Sequence, residues 1–503
     1  MIMKAHIRIP VLFILAAGLF MSACNVPSSE RTVLLPVKDD PTVSFRIWFK
    51  VGSQCDPAGK EGLAALTAAL MAEGATKKHT YEDILSALYP MAASYGVSSD
   101  KEMTVFIGRV HKDNLEQYYP LFTDALLHPA FNDEDFKRIK TDMKNYIEKS
   151  LRYSDDEELG KAAFYNFVYE GTPYGHLDVG TVGSLNAITL EDVRAFYTTW
   201  YTRSNVVIGL SGGYDATLVS RLEQDLQTLP EGEPLQPGAP AAVPIEGKHV
   251  ILVEKDCNAT AISFGFPIDV LRGDDDFWAL ALFASWFGEH RNSSSHLYQV
   301  IREIRGMNYG DYAYIEIFPN GGRRQMPAPN HARRQQLFEV WLRPVQHEHR
   351  HFALRAALRE LQMVVDSGMS EEDFELTKKF LDKYALHFAT TNMDRLGYAI
   401  DGAFYGVRGD YIEIYRREIA DLTLEDVNEA IRKHVQYSDI RIAMVTSGAE
   451  EFADQLAADV PSPVTYATPK PDEVLEEDKI IEAYPLGILR ENIRIVPVDK
   501  MFE

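Results

Sequence analysis

The 503-residue sequence predicts an α+β protein built from two homologous domains in tandem, and three observations carry that reading. A helix-then-strand segment occurs twice, the copies lying 234 residues apart. Strand-like and helix-like runs are grouped within each half, without regular βαβ alternation. A stretch rich in Pro and Gly lies between the halves.

The elements follow in chain order. Lys4 and Arg8 form a short basic region, and Ile9 to Met21 is an apolar run too short to span a membrane comfortably. Ser22 and Ala23 before Cys24 resemble the lipobox of bacterial lipoproteins, although Met21 stands where that pattern prefers Leu. Residues 1–23 are therefore read as a lipoprotein signal peptide, with lipidation at Cys24. The resemblance implies a periplasm-facing envelope lipoprotein, and Asn25 favours the outer membrane. An ordinary signal peptide or an uncleaved anchor is the alternative.

Residues 24–235 are assigned to the first domain. It opens on the strand "TVSFRIWFKVG". A helix follows in "EGLAALTAALMAEGATKK", Glu61 to Lys78, made of good helix formers and closed by a Gly exit. Between Leu63 and Ala72, Thr67 is the one side chain able to make a hydrogen bond. "DEDFKRIKTDMKNYIEKSL" predicts a further helix, and the domain ends on the first copy of the repeat, Ile188 to Gly213. There Thr189 is an N-cap followed by acidic residues, and the helix leads into an alternating strand.

The stretch from Leu229 to Gly247 reads as the linker, and residues 236–460 are assigned to the second domain. "KHVILVEK" and "TAISFGFPI" are its first strands, and "EEDFELTKKFLDKYALHFA" a helix matching the one after Phe131. "FNDEDF" and "MSEEDF" are themselves a matched pair, 238 residues apart, and the second copy of Thr-Leu-Glu-Asp-Val begins at Thr423. Units of this length mean domain duplication, not a short-period array. Residues 461–503 form a C-terminal tail.

Apolar residues at 46% and charged residues at 25% are ordinary for a globular protein. A formal charge of −23 speaks against nucleic acid, which needs a basic face. Cys55 and Cys257 lie in separate halves and are read as buried free thiols, with a disulfide left open.

Several ordered segments resemble the M16 metallopeptidases, the insulinase, pitrilysin and processing-peptidase family. They are "VGSQCDPAGKEGLAAL", "ASYGVSSDKEMTVFIGRVHKDNLE", "GTPYGHLDVGTVGSLNAITLEDVRAFY" and, in the second half, "SSSHLYQVIREIRGMNYGDYAYIE". The resemblance implies two M16-type (LuxS/processing-peptidase-like metallohydrolase) domains, with mixed sheets flanked by helices. In the family the first helix carries His-x-x-Glu-His, whose histidines bind zinc and whose Glu is the base. Here Ala65 and Ala69 fall at the histidine positions and Ala68 at the base position. Glu148 lies close to the expected third ligand and is a possible remnant of it. No metal is expected in this chain.

The family's second domain supplies an Arg and a Tyr seven residues apart, matched here by Arg302 and Tyr309. They would bind substrate and stabilise its oxyanion. Arg305 and Tyr312 share the spacing and are the competing register. The pattern resembles the noncatalytic subunit of two-chain M16 peptidases, which implies a heterodimer with a zinc-bearing M16 chain and peptide substrates. A peptide-binding or scaffolding envelope lipoprotein is the alternative, and an independently active metalloendopeptidase ranks last. "HEHRH", His347 to His351, is read as an exposed turn at a helix start rather than a metal site. "FGEHRNSSSH" replaces the family's glycine-rich loop with bulkier, charged residues.

Overall fold

The computed structural model describes residues 31–235, 242–319, 324 and 326–503. The signal segment and Cys24 lie outside the described residues.

The first half contributes strands β1 (Thr32–Pro36), β2 (Thr42–Phe49), β3 (Ser94–Ser99), β4 (Thr104–His111) and β5 (Val206–Gly212). They form one sheet in the order β1–β5–β2–β4–β3. The second half contributes β6 (Lys248–Glu254), β7 (Thr260–Ile268), β8 (Asp311–Tyr314), β9 (Gln336–Val345), β10 (Ile440–Thr446) and β11 (Ile493–Pro497). Their order is β11–β6–β10–β7–β9–β8. Without β11, the second sheet repeats the first strand for strand. In both, the outer pair is parallel (β1 with β5, β6 with β10) and the remaining pairs antiparallel. The duplication read from two short motifs is thus a duplication of whole mixed sheets with flanking helices.

The repeated helices form for the reasons the sequence carries. Thr189 caps Leu190–Trp200 and Thr423 caps Leu424–His434, each in a reciprocal box with Asp192 or Asp426. Asn132 and Ser370 cap the second matched pair, Asp133–Asn145 and Glu371–Tyr384. The strands that follow the boxes are almost wholly buried because both of their faces are covered.

The halves cover one another reciprocally. The helix Asp156–Val168, from the first half, packs across β7 and β10 of the second sheet. The helix Asn392–Tyr405, from the second half, packs across β1, β2 and β5 of the first. Leu396 and Ile400 there join Val33, Trp48, Val105 and Val207 in one apolar cluster. Gly209 in β5 is required by this approach: a Cβ on it would lie 2.6 Å from Ile400 Cδ1.

Residues 461–503 are built into both halves. The helix Asp472–Glu482 packs on Arg350–Ser367, and β11 extends the second sheet alongside β6. Beyond it, the Arg152 Nε donates to the Met501 carbonyl at 2.8 Å, and the Val182 amide to that of Phe502 at 3.1 Å. β1 and β11 carry no distinctive alternation in sequence, being five-residue edge strands.

Candidate functional site

The Leu63–Glu73 helix begins without a side-chain cap, because its N-cap is Gly62 in the left-handed region (φ 96°). Asp56, six residues earlier, takes over: its carboxylate accepts from the Gly62 and Ala64 amides, each at 2.7 Å. Gly62 has to be glycine, since a Cβ there would lie 2.5 Å from the Val179 carbonyl oxygen. This explains why "GKEGLAAL" and "DVGTVGS" belong together: the second segment is the floor beneath the first helical turn.

Along the helix, Ala65 and Ala69 are half-exposed among buried neighbours, at the i, i+4 spacing that puts both on one face. Ala68 is fully buried. Thr67 spends its hydroxyl on the Leu63 carbonyl within the same helix, at 2.8 Å. At residues 65 and 69 the open face therefore presents methyl groups and no lone pair. Glu148 is half-buried in a single π-helical turn, Tyr146–Leu151, and forms no ion pair among the described residues. Zinc does not fit the helix at residues 65 and 69, because methyl groups offer it no donors. Among the described residues, no group of three or more His, Cys, Asp or Glu is placed to hold a metal ion.

Arg302 also lies in a single π-helical turn, Tyr298–Glu303. Such turns recur at functional positions, and nothing in the sequence signalled either one. The Arg302 guanidinium stacks over the Tyr298 ring at 4.8 Å and donates to Glu303. Its Nε is buried without a partner, as is Asp311 Oδ2, and Asp311 is close enough to feel the Arg302 charge. Tyr309 precedes β8 in a turn rather than lying in the strand, and is 80% exposed.

The competing register is occupied. Arg305 is sealed from solvent, donating from Nε to Asp478 and from Nη2 to Glu477, each at 2.8 Å. It anchors the Asp472–Glu482 helix. Tyr312 is buried in an aromatic cluster with Tyr314, Phe318 and Trp341. Of the two pairs at this spacing, Arg302 and Tyr309 are the more exposed.

The other polar motifs are consumed structurally. His347 joins Thr260 Oγ1 and the Cys257 carbonyl, each at 2.8 Å. His351 is buried rather than in an exposed turn, and burial, with Arg355 nearby, pushes it down to about 4. It lies in the first turn of Arg350–Ser367, whose buried face it shares. Cys55 and Cys257 are free thiols, half-buried rather than fully buried, Cys55 at the end of a short 3-10 helix and Cys257 in the loop between β6 and β7. Burial pushes both up to about 11. In "FGEHRNSSSH", Glu289 and His290 turn inward and are buried.

Residues 32–172 match the family model for insulinase, peptidase family M16, and residues 187–381 match that for the peptidase M16 inactive domain. An uncharacterized zinc protease of Streptomyces coelicolor is 24% identical over 358 residues, 69% of this chain and 73% of the relative. A non-peptidase homolog of Helicobacter pylori is 22% identical over 411 residues, 81% and 89% of the two chains. The crystal structure of a peptidase M16 inactive domain from Pseudomonas fluorescens has the same fold, with a TM-score of 0.71 at 23% identity. That match covers 84% of this chain and 96% of the other. Two family models in order, on two sheets of one topology, make the chain a member of the M16 peptidase family.

Proposed function

We propose that this chain is the noncatalytic subunit of a two-chain zinc peptidase. It binds peptide and presents Arg302 and Tyr309 to the metal site of a zinc-bearing M16 partner. The observation that carries the reading is the contrast between the two registers. Arg305 and Tyr312 are locked into packing, whereas Tyr309 is 80% exposed and makes no hydrogen bond or ring contact among the described residues. A guanidinium and a phenol can both donate to a scissile carbonyl oxygen as it gains negative charge. The Arg fork can also hold a peptide carbonyl or carboxylate.

The partner supplies what the Leu63–Glu73 helix lacks. Hydrolysis by this chain alone would need ligands at residues 65 and 69, where only methyl groups stand. In this reading the protein is an envelope lipoprotein facing the periplasm, anchored through Cys24. No helix among the described residues is long and apolar enough to cross a membrane.

The test is reconstitution with a candidate zinc-bearing M16 chain. Peptidase activity is expected in the mixture, absent from this chain alone, and lost on Arg302→Ala or Tyr309→Phe. Full activity in both variants would remove the assigned roles. A second reading, a peptide-binding scaffold, draws on the relative described as a non-peptidase homolog. It predicts binding of extended peptides with no turnover beside any such partner.

A further inference from the structure

A cavity of about 70 Å³ lies in the second half, between the C-terminal end of the Asp275–Gly288 helix, β8 and the Tyr411–Asp421 helix. Its walls include Phe277, Phe388 and Tyr415, and Glu289 and Ser285 line it as well. These residues come from segments more than a hundred positions apart in sequence, so the cavity is a product of the fold.

Its polar groups are unbalanced. Glu289 is 7% exposed and has no cation paired with it among the described residues. Burial pushes its carboxyl up to about 7, offset only by the Ser285 hydroxyl. The Ser285 Oγ lies beside that carboxyl without completing a hydrogen bond, and the Tyr411 hydroxyl is likewise buried without a partner. The other carboxylate on the wall, Glu316, is already neutralised by Arg272, which donates to its two oxygens at 2.9 and 3.0 Å. His290, also on the wall, is bonded to the Tyr314 hydroxyl. Buried polar groups normally have partners, and two hydroxyls that lack them beside a buried carboxyl with no paired cation, around one cavity, point to a ligand that completes the site.

We infer that this cavity binds the end of a primary alkylammonium group, with Glu289 as its counter-ion and the aromatic rings around its methylene stem. An ammonium carries three donors and no acceptor. It satisfies the carboxylate directly and meets the Ser285 and Tyr411 oxygens, both able to accept. Aromatic faces add cation–π attraction. A cavity of ~150 Å³ lined by apolar groups takes benzene, so this one, about half that size, holds the ammonium with its last two or three carbons. Such a group can belong to a free small amine or to a lysine side chain of a bound peptide. The inference does not rest on the partner-subunit reading, because the chain is tested alone.

The experiment titrates the purified chain at pH 8 with n-propylammonium chloride, n-propanol and NaCl, following binding by calorimetry and thermal shift. Propylammonium is expected to saturate one site, while propanol and NaCl do not. Glu289→Gln, nearly isosteric, should weaken the affinity by about tenfold or more, the loss of one charge-assisted contact. Ala281→Leu narrows the partly exposed rim with Glu289 intact and should abolish binding in a variant whose circular dichroism matches the native chain. A lysine-containing pentapeptide bound tenfold more tightly than propylammonium, with its norleucine counterpart silent, would identify a peptide side chain as the source. Tighter binding of the free amine would identify a small molecule. Equal binding of propanol, no binding of either amine, or native-like binding by Ala281→Leu would overturn the inference.

Discussion

The Arg333 Nε donates to Asp100 Oδ1 at 2.6 Å, across the boundary between the two halves, with both side chains buried. His331 Nδ1 lies 2.5 Å from the other carboxylate oxygen. Next to this pair, Glu102 accepts from the Arg334 amide at 2.7 Å and its guanidinium at 2.5 Å, and from the Tyr174 hydroxyl. The turn between β3 and β4 is thus clasped by the segment that leads into β9. Buried in water's absence, each charge depends on its partner.

Asp100→Asn should therefore destabilise the chain by about 3–5 kcal/mol at pH 7, the usual cost of breaking one side of a buried pair. Burial alone would raise the Asp100 carboxyl, but Arg333 and His331 outweigh it and hold it well below the ordinary carboxylate range. Its contribution is complete above about pH 4, the unfolded value, and declines as the pH falls below it. Chemical denaturation at pH 7, 4 and 2.5 should show the native chain losing its advantage over Asp100→Asn by about 1.4 kcal/mol per unit below pH 4. A pH-independent gap would remove the ion pair from the account.

Glu289 has the opposite sign. Burial raises its carboxyl to about 7, so the folded chain holds a proton that the unfolded chain releases near pH 4.5. Its folded state is favoured below pH 4.5 and loses stability as the pH rises through 7. Glu289→Gln should be neutral at pH 4 and stabilising by about 1–3 kcal/mol at pH 8 without added amine. Thermal denaturation at the two pH values checks it, and destabilisation at pH 8 would contradict the buried, unpaired carboxylate.

The sequence exposed the parts of this fold that repeat. Thr189 and Thr423 signalled matching helix starts because a capping box is local chemistry, written within four residues. The strands β2, β6 and β7 announced themselves as apolar runs. What stayed hidden depends on contacts distant in the chain. Nothing in Asp156–Val168 says that it covers the other half's sheet, nor in Arg305 that Asp478 lies 2.8 Å away. The π-helical turns at Glu148 and Arg302 were equally invisible, since they reflect how a helix is strained by its surroundings. The three alanines were legible only because a family pattern stood beside them.

Arg302 and Arg305 should separate cleanly in two assays. Arg305→Ala leaves Asp478 buried without its cation and frees the tail helix, at an expected cost of about 3–5 kcal/mol. Arg302 makes an exposed contact with Glu303, worth about 1 kcal/mol or less. Tyr309→Phe removes a solvent-exposed hydroxyl and should leave the melting temperature unchanged. In a reconstituted peptidase, each of the last two variants should lose about 10²–10³ in kcat, the scale of one oxyanion donor. Arg302→Ala that melts like Arg305→Ala would show Arg302 to be structural.

The alanines of the first helix make the sharpest case. Ala65 and Ala69 are half-exposed on one face, so histidines can be placed there without overpacking the core. Ala65→His with Ala69→His should cost less than about 1.5 kcal/mol and confer zinc binding that neither single change gives, because two imidazoles four residues apart can share one ion. Ala68 differs: it is fully buried, and a glutamate there must place a carboxylate where the core has closed. Ala68→Glu should destabilise by at least about 1–3 kcal/mol, the penalty for an unpartnered buried polar group. Calorimetry with zinc and thermal denaturation of the single, double and triple variants test both parts. A triple variant as stable as the native chain would mean that the core around residue 68 still admits a carboxylate.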